Sequence, residues 1–130
     1  MSKKKKILVV EPEKDLKGII KRMLEFKSGF EATAINDYAE AEKIMADSQQ
    51  GEWSAVLMEV GYPEPKGYEL AKKWRKLGRR IPIIFMFNCL PDFLDEKALL
   101  EVSQACLWKP LPLKKFRKTM REVIKVGFKD

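Results

Sequence analysis

Two glutamates and a lysine stand at the ends of short apolar runs. Ile7-Leu8-Val9-Val10 meets Glu11, Ala55-Val56-Leu57-Met58 meets Glu59, and Ala105-Cys106-Leu107-Trp108 meets Lys109-Pro110. If the three runs lie side by side, two acids and one lysine share a single polar pocket. Other chemistries are excluded by what the chain lacks. It contains no histidine, which removes the commonest general base and metal ligand, any phosphohistidine, and every Ser-His-Asp or Cys-His arrangement. Its two cysteines, Cys89 and Cys106, are too few and too far apart for a structural zinc site; we expect small apolar fillers and no disulfide. No glycine-rich phosphate loop or nucleophile elbow is present, so the chain is not expected to be an enzyme.

The elements that must position these residues follow from hydrophobic spacing. Four-residue apolar runs separated by helix-length amphipathic stretches read as buried parallel strands, and ligands in such sheets sit outside the carboxyl ends of the strands. After the first run, Pro12 opens a helix with Leu16, Ile19, Ile20, Met23 and Leu24 on one face, ending near Ser28-Gly29. Phe30 to Ile35 alternates as a strand, Asn36-Asp37 turns the chain, and Ala39, Ala41, Ile44 and Met45 mark a helix ending near Gly51. Beyond Glu59, a loop from Gly61 to Pro65 leads into a helix carrying Gly67, Leu70, Ala71, Trp74 and Leu77, which Gly78 stops. Trp74 is expected in the core and Tyr68 at its rim. Ile81 to Met86 is a strand with Pro82 at its start, Pro91 to Ser103 a helix, and Leu113, Phe116, Met120, Val123 and Ile124 the stripe of a last helix. Five strands alternating with five helices imply an α/β fold, a doubly wound five-stranded parallel sheet of order 2-1-3-4-5, in a single domain over 1–130.

At 130 residues, 45% hydrophobic and 35% charged, the composition is that of a globular domain and not of a disordered or fibrous chain. No segment approaches membrane-spanning length. The Lys3 to Lys6 run precedes only four strongly apolar residues before Glu11, too few for a signal peptide, so the expected compartment is the cytoplasm. The net charge of +7 comes largely from Lys72-Lys73-Trp74-Arg75-Lys76 through Arg79-Arg80 and from Lys114-Lys115 through Arg121. Helical spacing puts most of these charges opposite a buried stripe, which reads as solvated helix faces. No helix-turn-helix or aromatic RNA-binding signature accompanies them, which argues against a nucleic-acid partner and leaves a basic nucleic-acid-associated domain as a third reading.

Leu57-Met58-Glu59-Val60-Gly61-Tyr62-Pro63-Glu64-Pro65-Lys66-Gly67-Tyr68-Glu69-Leu70 resembles the segment of bacterial response-regulator receiver domains (the CheY-like superfamily) that runs from the phosphoacceptor aspartate through a proline and a glycine into a helix. Ile81-Pro82-Ile83-Ile84 resembles the fourth strand of that family. Leu107-Trp108-Lys109-Pro110 resembles the fifth, with the lysine that contacts the phosphoryl group. The resemblance covers nearly the whole chain and implies a flavodoxin-like (βα)5 fold and a place in two-component signalling.

The resemblance also implies an atypical member. The acceptor position holds Glu59, whose carboxylate is displaced by one methylene, and a shift of roughly an ångström can cost on the order of a hundredfold in an in-line transfer. The acid pair that holds magnesium corresponds to Glu11 and Pro12, so metal binding is expected to be lost or much weakened unless Glu13 reaches in, and no cofactor is expected. The switch hydroxyl corresponds to Phe87 and the switch aromatic to Cys106. Lys109 keeps its identity. A fixed phosphoryl mimic at Glu59 would supply one charge where a phosphoryl group brings nearly two, so we expect an ion pair of Glu59 and Lys109, with Glu11. The leading expectation is a phosphorylation-independent pseudo-receiver that binds a protein partner, a sensor kinase or another signalling protein, through Leu90, Phe93 and Trp108. The alternative is a receiver that still accepts a phosphoryl group through Glu59 or Glu11 in a phosphorelay.

Overall fold

The computed structural model describes residues 4–26 and 29–124. Strands β1 (Lys5–Val10), β2 (Phe30–Ile35), β3 (Ala55–Glu59), β4 (Ile83–Phe87) and β5 (Ala105–Trp108) alternate with helices α1 (Lys14–Glu25), α2 (Tyr38–Ala46), α3 (Lys66–Lys76), α4 (Glu96–Leu100) and α5 (Leu113–Ile124). All strand pairings are parallel, in the order β2-β1-β3-β4-β5. This is the doubly wound α/β sheet that the alternation of elements predicts, in the flavodoxin-like form that the resemblance implies.

The continuous apolar runs are explained by burial on both faces of the sheet. Leu8, Val10, Val56, Met58, Ile83, Phe85 and Phe87 pack towards α2, α3 and α4, where they meet Ala41, Met45, Leu70, Trp74 and Leu99. The alternate residues Ile7, Val9, Ala55, Leu57, Ile84, Met86 and Leu107 pack against Ile20 and Leu24 of α1 and Phe116 and Met120 of α5. Trp74 is buried and Tyr68 half-buried, as their spacing on α3 suggests.

Some boundaries differ from the sequence expectation. The helix expected over Pro91–Ser103 is α4, confined to Glu96–Leu100. Asp95 fixes its start by accepting a hydrogen bond from the Ala98 amide. Its end tightens into three-residue turns from Glu101 to Ala98 and from Val102 to Leu99, with the Ser103 hydroxyl bonded to the Leu99 carbonyl. Helix α2 stops at Ala46 and not near Gly51, because the Ser48 hydroxyl bonds back to Ile44 and accepts the Trp53 indole N–H. Helix α1 ends at Glu25; Ser28, where the sequence placed its end, lies outside the described residues. Cys89 is exposed, so it is not a core filler, whereas Cys106 is half-buried against the core.

Gly67 lets α3 begin directly on the end of β3. Its amide donates to the Val60 carbonyl at 2.8 Å, and a Cβ there would lie 2.1 Å from the Glu59 carbonyl oxygen, which is fixed backbone. At Gly18, inside α1, a Cβ would meet only the flexible end of Arg22 at 3.8 Å. Chemical denaturation should therefore separate the two alanine substitutions. Gly67→Ala is expected to destabilise by about 1–3 kcal/mol through overpacking, and Gly18→Ala to stabilise by about 0.5–1 kcal/mol through helix propensity. Equal effects would contradict the packing described for α3.

Candidate functional site

The carboxyl ends of β1, β3 and β5 bring the sequence-selected charges to one place. Glu11 follows β1, its amide held by the Ile35 carbonyl at 3.0 Å. Glu59 is the last residue of β3 and is paired in register with Met86 of β4. Lys109 follows β5, its amide donating to the Phe87 carbonyl at 2.8 Å. Around these residues lies a cleft of about 490 Å³, to which Glu13, Tyr38 and Asn88 also contribute.

Lys109 is the centre of the cleft's electrostatics. Its ammonium lies 2.6 Å from Glu11 Oε1 and donates a hydrogen bond to Glu59 Oε1. The side chains of Lys109, Glu11 and Glu59 are 10%, 2% and 10% exposed, so little water competes for these contacts. The second oxygens are taken by backbone: Glu11 Oε2 accepts from the Glu13 amide and Glu59 Oε2 from the Gly61 amide, each at 3.2 Å. The Glu11 Oε1 contact is an ion pair whose alignment falls short of a hydrogen bond, so the more deeply buried acid is the less completely satisfied one.

The pKa shifts set burial against the pairing of two acids with one base. Burial pushes the Glu11 carboxyl above the usual carboxylate range, and Lys109 and the Glu13 amide only partly offset it. Burial also works against the charge on Lys109, but its pairing with Glu11 and Glu59 outweighs it and holds the ammonium above the ordinary lysine pKa.

Sequence reasoning missed Tyr38. Its hydroxyl donates to the Glu59 backbone carbonyl at 2.9 Å, and burial, then the charges of Glu59 and Glu11, raise its pKa. The signal was available, since Tyr38 opens α2 just beyond the carboxyl end of β2, the same edge of the sheet. Glu13 contributes its amide while its side chain stays exposed, as does Pro12.

The remaining sequence-selected residues lie beside the cleft. Phe87 is fully buried, with its ring edge-on to Trp108 at 4.4 Å between centroids. Cys106 faces the same core, where burial raises its thiol pKa. Trp108 is 49% exposed, and its indole N–H donates to Glu96 at the start of α4. Phe93 is 75% exposed, whereas Leu90 is half-buried and packs on the core.

These contacts predict unequal effects of neutralising the triad. Lys109→Met leaves two buried acids facing each other and should cost about 3–5 kcal/mol at neutral pH, while moving the Glu11 titration, read by carboxyl carbon NMR, further upward. Glu11→Gln removes the poorly satisfied charge and should change stability by no more than about 1 kcal/mol. The stabilising contribution of Lys109, whose folded pKa is raised, should be complete below its ordinary value of 10.5 and be lost as pH rises through the folded value. A Lys109→Met variant as stable as the parent would contradict the triad.

The comparisons with known proteins agree with this geometry. Residues 7–121 match the family model described as the response regulator receiver domain. No curated protein matches the chain. A response regulator receiver protein from Burkholderia phymatum superposes with a TM-score of 0.78 at 22% identity, covering 96% of this chain and 98% of that one. A two-component response regulator from Clostridium difficile gives 0.78 at 24% identity, covering 94% and 97%. The receiver domain of a sensor histidine kinase from Pseudomonas aeruginosa PAO1, solved with a magnesium ion in its active-site cleft, gives 0.74 at 26% identity, covering 94% and 98%. Among the described residues no helix is long and apolar enough to cross a membrane. With the family model spanning all five strands' ends and the acids and lysine gathered where that sheet places its site, the chain belongs to the response regulator receiver domain family.

Proposed function

We propose that this receiver has exchanged a phosphorylation switch for a permanent internal ion triad, and that it acts in two-component signalling as a protein-binding module whose binding does not depend on phosphorylation. The observation that carries this reading is the engagement of Lys109 by both Glu59 and Glu11. The lysine that would meet an incoming phosphoryl group is already neutralised by side chains of the chain itself. All four carboxylate oxygens of Glu11 and Glu59 have a partner, so a phosphoryl donor would have to break a closed set of contacts.

The surroundings support the same reading. Phe87 offers no hydroxyl to a phosphoryl group and is sealed by the Trp108 ring, and Cys106 has too small a side chain to serve as a rotating aromatic. Magnesium sits in the cleft of the P. aeruginosa relative, but the donors here do not suit it. Pro12 has no carboxylate, Glu11 and Glu59 are spent on Lys109, and no group of three His, Cys, Asp or Glu capable of holding a metal ion occurs among the described residues. Exposed apolar surface for a protein partner is available at Phe93 and Trp108.

Phosphorylation from a small donor tests the proposal. Incubated with acetyl phosphate and magnesium, the protein is expected to show no phosphoryl adduct by intact mass. An adduct that forms on the parent and disappears in Glu59→Gln or Glu11→Gln would overturn the reading in favour of a working phosphoacceptor.

A further inference from the structure

At the end of the sheet opposite the acidic cleft, the amino ends of β4 and β5 border a second hollow. It has a volume of about 270 Å³ and is lined by Arg75, Gly78, Arg79, Arg80 and Gln104. An adjoining hollow of about 230 Å³ shares Arg79 and Arg80 and continues over Trp53 and Pro82. Three arginines border this space, and no carboxylate lines either part of it.

The chain builds this frame deliberately into its backbone. Helix α3 stops at Gly78, whose φ of +80° only glycine adopts without strain, and the Arg79 amide then bonds to the Trp74 carbonyl at 2.9 Å. Arg75 is fixed by three bonds, from Nε to the Val102 carbonyl, from Nη1 to the Arg79 carbonyl and from Nη2 to the Gln104 side chain. Gln104 is fixed in turn, because the same side-chain oxygen accepts the Ile83 amide at 2.6 Å. Arg79 is tied by one N–H to the Ser48 carbonyl. Of the five N–H donors that each guanidinium carries, Arg75 therefore keeps two and Arg79 four, and Arg80 has no acceptor among the described residues.

Positive charge is thus concentrated on a rigid wall with no acid to compensate it. Burial and then the neighbouring charge of Arg80 hold the Arg75 pKa below its ordinary value, in keeping with like charges crowded together. A guanidinium fork with free N–H groups matches oxyanions geometrically. The hollow falls just below the range of roughly 300–1,000 Å³ that suits drug-sized ligands, so its match is a compact anion.

We propose that Arg75, Arg79 and Arg80 form a binding site for a compact, multiply charged oxyanion of the phosphate or pyrophosphate type, either free or as the tail of a small nucleotide. The site is remote from Glu11, Glu59 and Lys109 and does not depend on what that cleft does.

Amide NMR titration of the intact chain with inorganic pyrophosphate, at ionic strength held constant with sodium chloride, tests this. Saturable shifts centred on Gly78, Arg79, Arg80 and Gln104 are expected, with Arg80→Gln weakening binding by about tenfold or more. Lys72→Gln, which removes an exposed charge of α3 lying over Tyr68, should leave the affinity unchanged. Titration with ADP separates the sources: affinity equal to that of pyrophosphate supports a site that reads the phosphates alone, and tighter binding supports a nucleotide tail with the base in the adjoining hollow. The proposal is overturned by shifts that fail to saturate, by shifts centred on Glu11 and Lys109, or by equal losses in Arg80→Gln and Lys72→Gln, which would indicate only diffuse surface charge.

Discussion

The Lys109 ammonium holds two carboxylates that the fold has taken almost completely out of water, and the carboxyl edge of the sheet is organised around that contact. Burying a charge is costly unless it is paired. Glu11 is 2% exposed and Glu59 and Lys109 10%, so neither acid tolerates the loss of Lys109. The strand order brings them together: β1 and β3 are neighbours, β4 lies next to β3, and β5 closes the edge beside β4. Two constraints hold the arrangement from the outside. Gly67 allows α3 to lie against the Glu59 carbonyl, and Tyr38 caps that same oxygen from α2.

In the function proposed above, an ion triad takes the place of a switch. A switch needs two arrangements of comparable free energy, so that a small chemical change selects between them. Here two acids share one base, the base is satisfied within the chain, and Phe87 is packed beneath Trp108, which is tied to α4 through Glu96. Burial raises the pKa of Glu11 despite its pairing with Lys109, and the charge of Glu59 adds a smaller push in the same direction, so Glu11 is the residue whose charge the cleft accommodates least well.

Much of this was legible in the sequence, and for definite reasons. Strands buried on both faces leave continuous apolar runs, so β1, β3, β4 and β5 could be placed within a residue or two, and their charged ends then had to share an edge. The triad of Glu11, Glu59 and Lys109 follows from that alone. Helix ends were less legible where side chains close them locally, as Ser48 closes α2 and Asp95 opens α4. Tyr38 escaped notice because its place just beyond β2 marks only the edge of the sheet it stands on, whereas the bond of its hydroxyl to a backbone carbonyl leaves no pattern of residue types. Cys89 misled because small apolar residues read as core, whereas the loop beyond β4 leaves it in solvent. The arginine hollow could not be foreseen, since Arg75, Arg79 and Gln104 come together only through the turn at Gly78 and the start of β5.

The most direct test of the central claim is an amide NMR titration with magnesium and beryllofluoride, which together stand in for a metal-bound phosphoryl group on a carboxylate. The closed triad predicts no saturable shifts at Glu11, Glu59 or Lys109 at millimolar concentrations. Saturable shifts at those residues would mean that Lys109 is free to leave its carboxylates for a phosphoryl group, and that the cleft is a working receiver site.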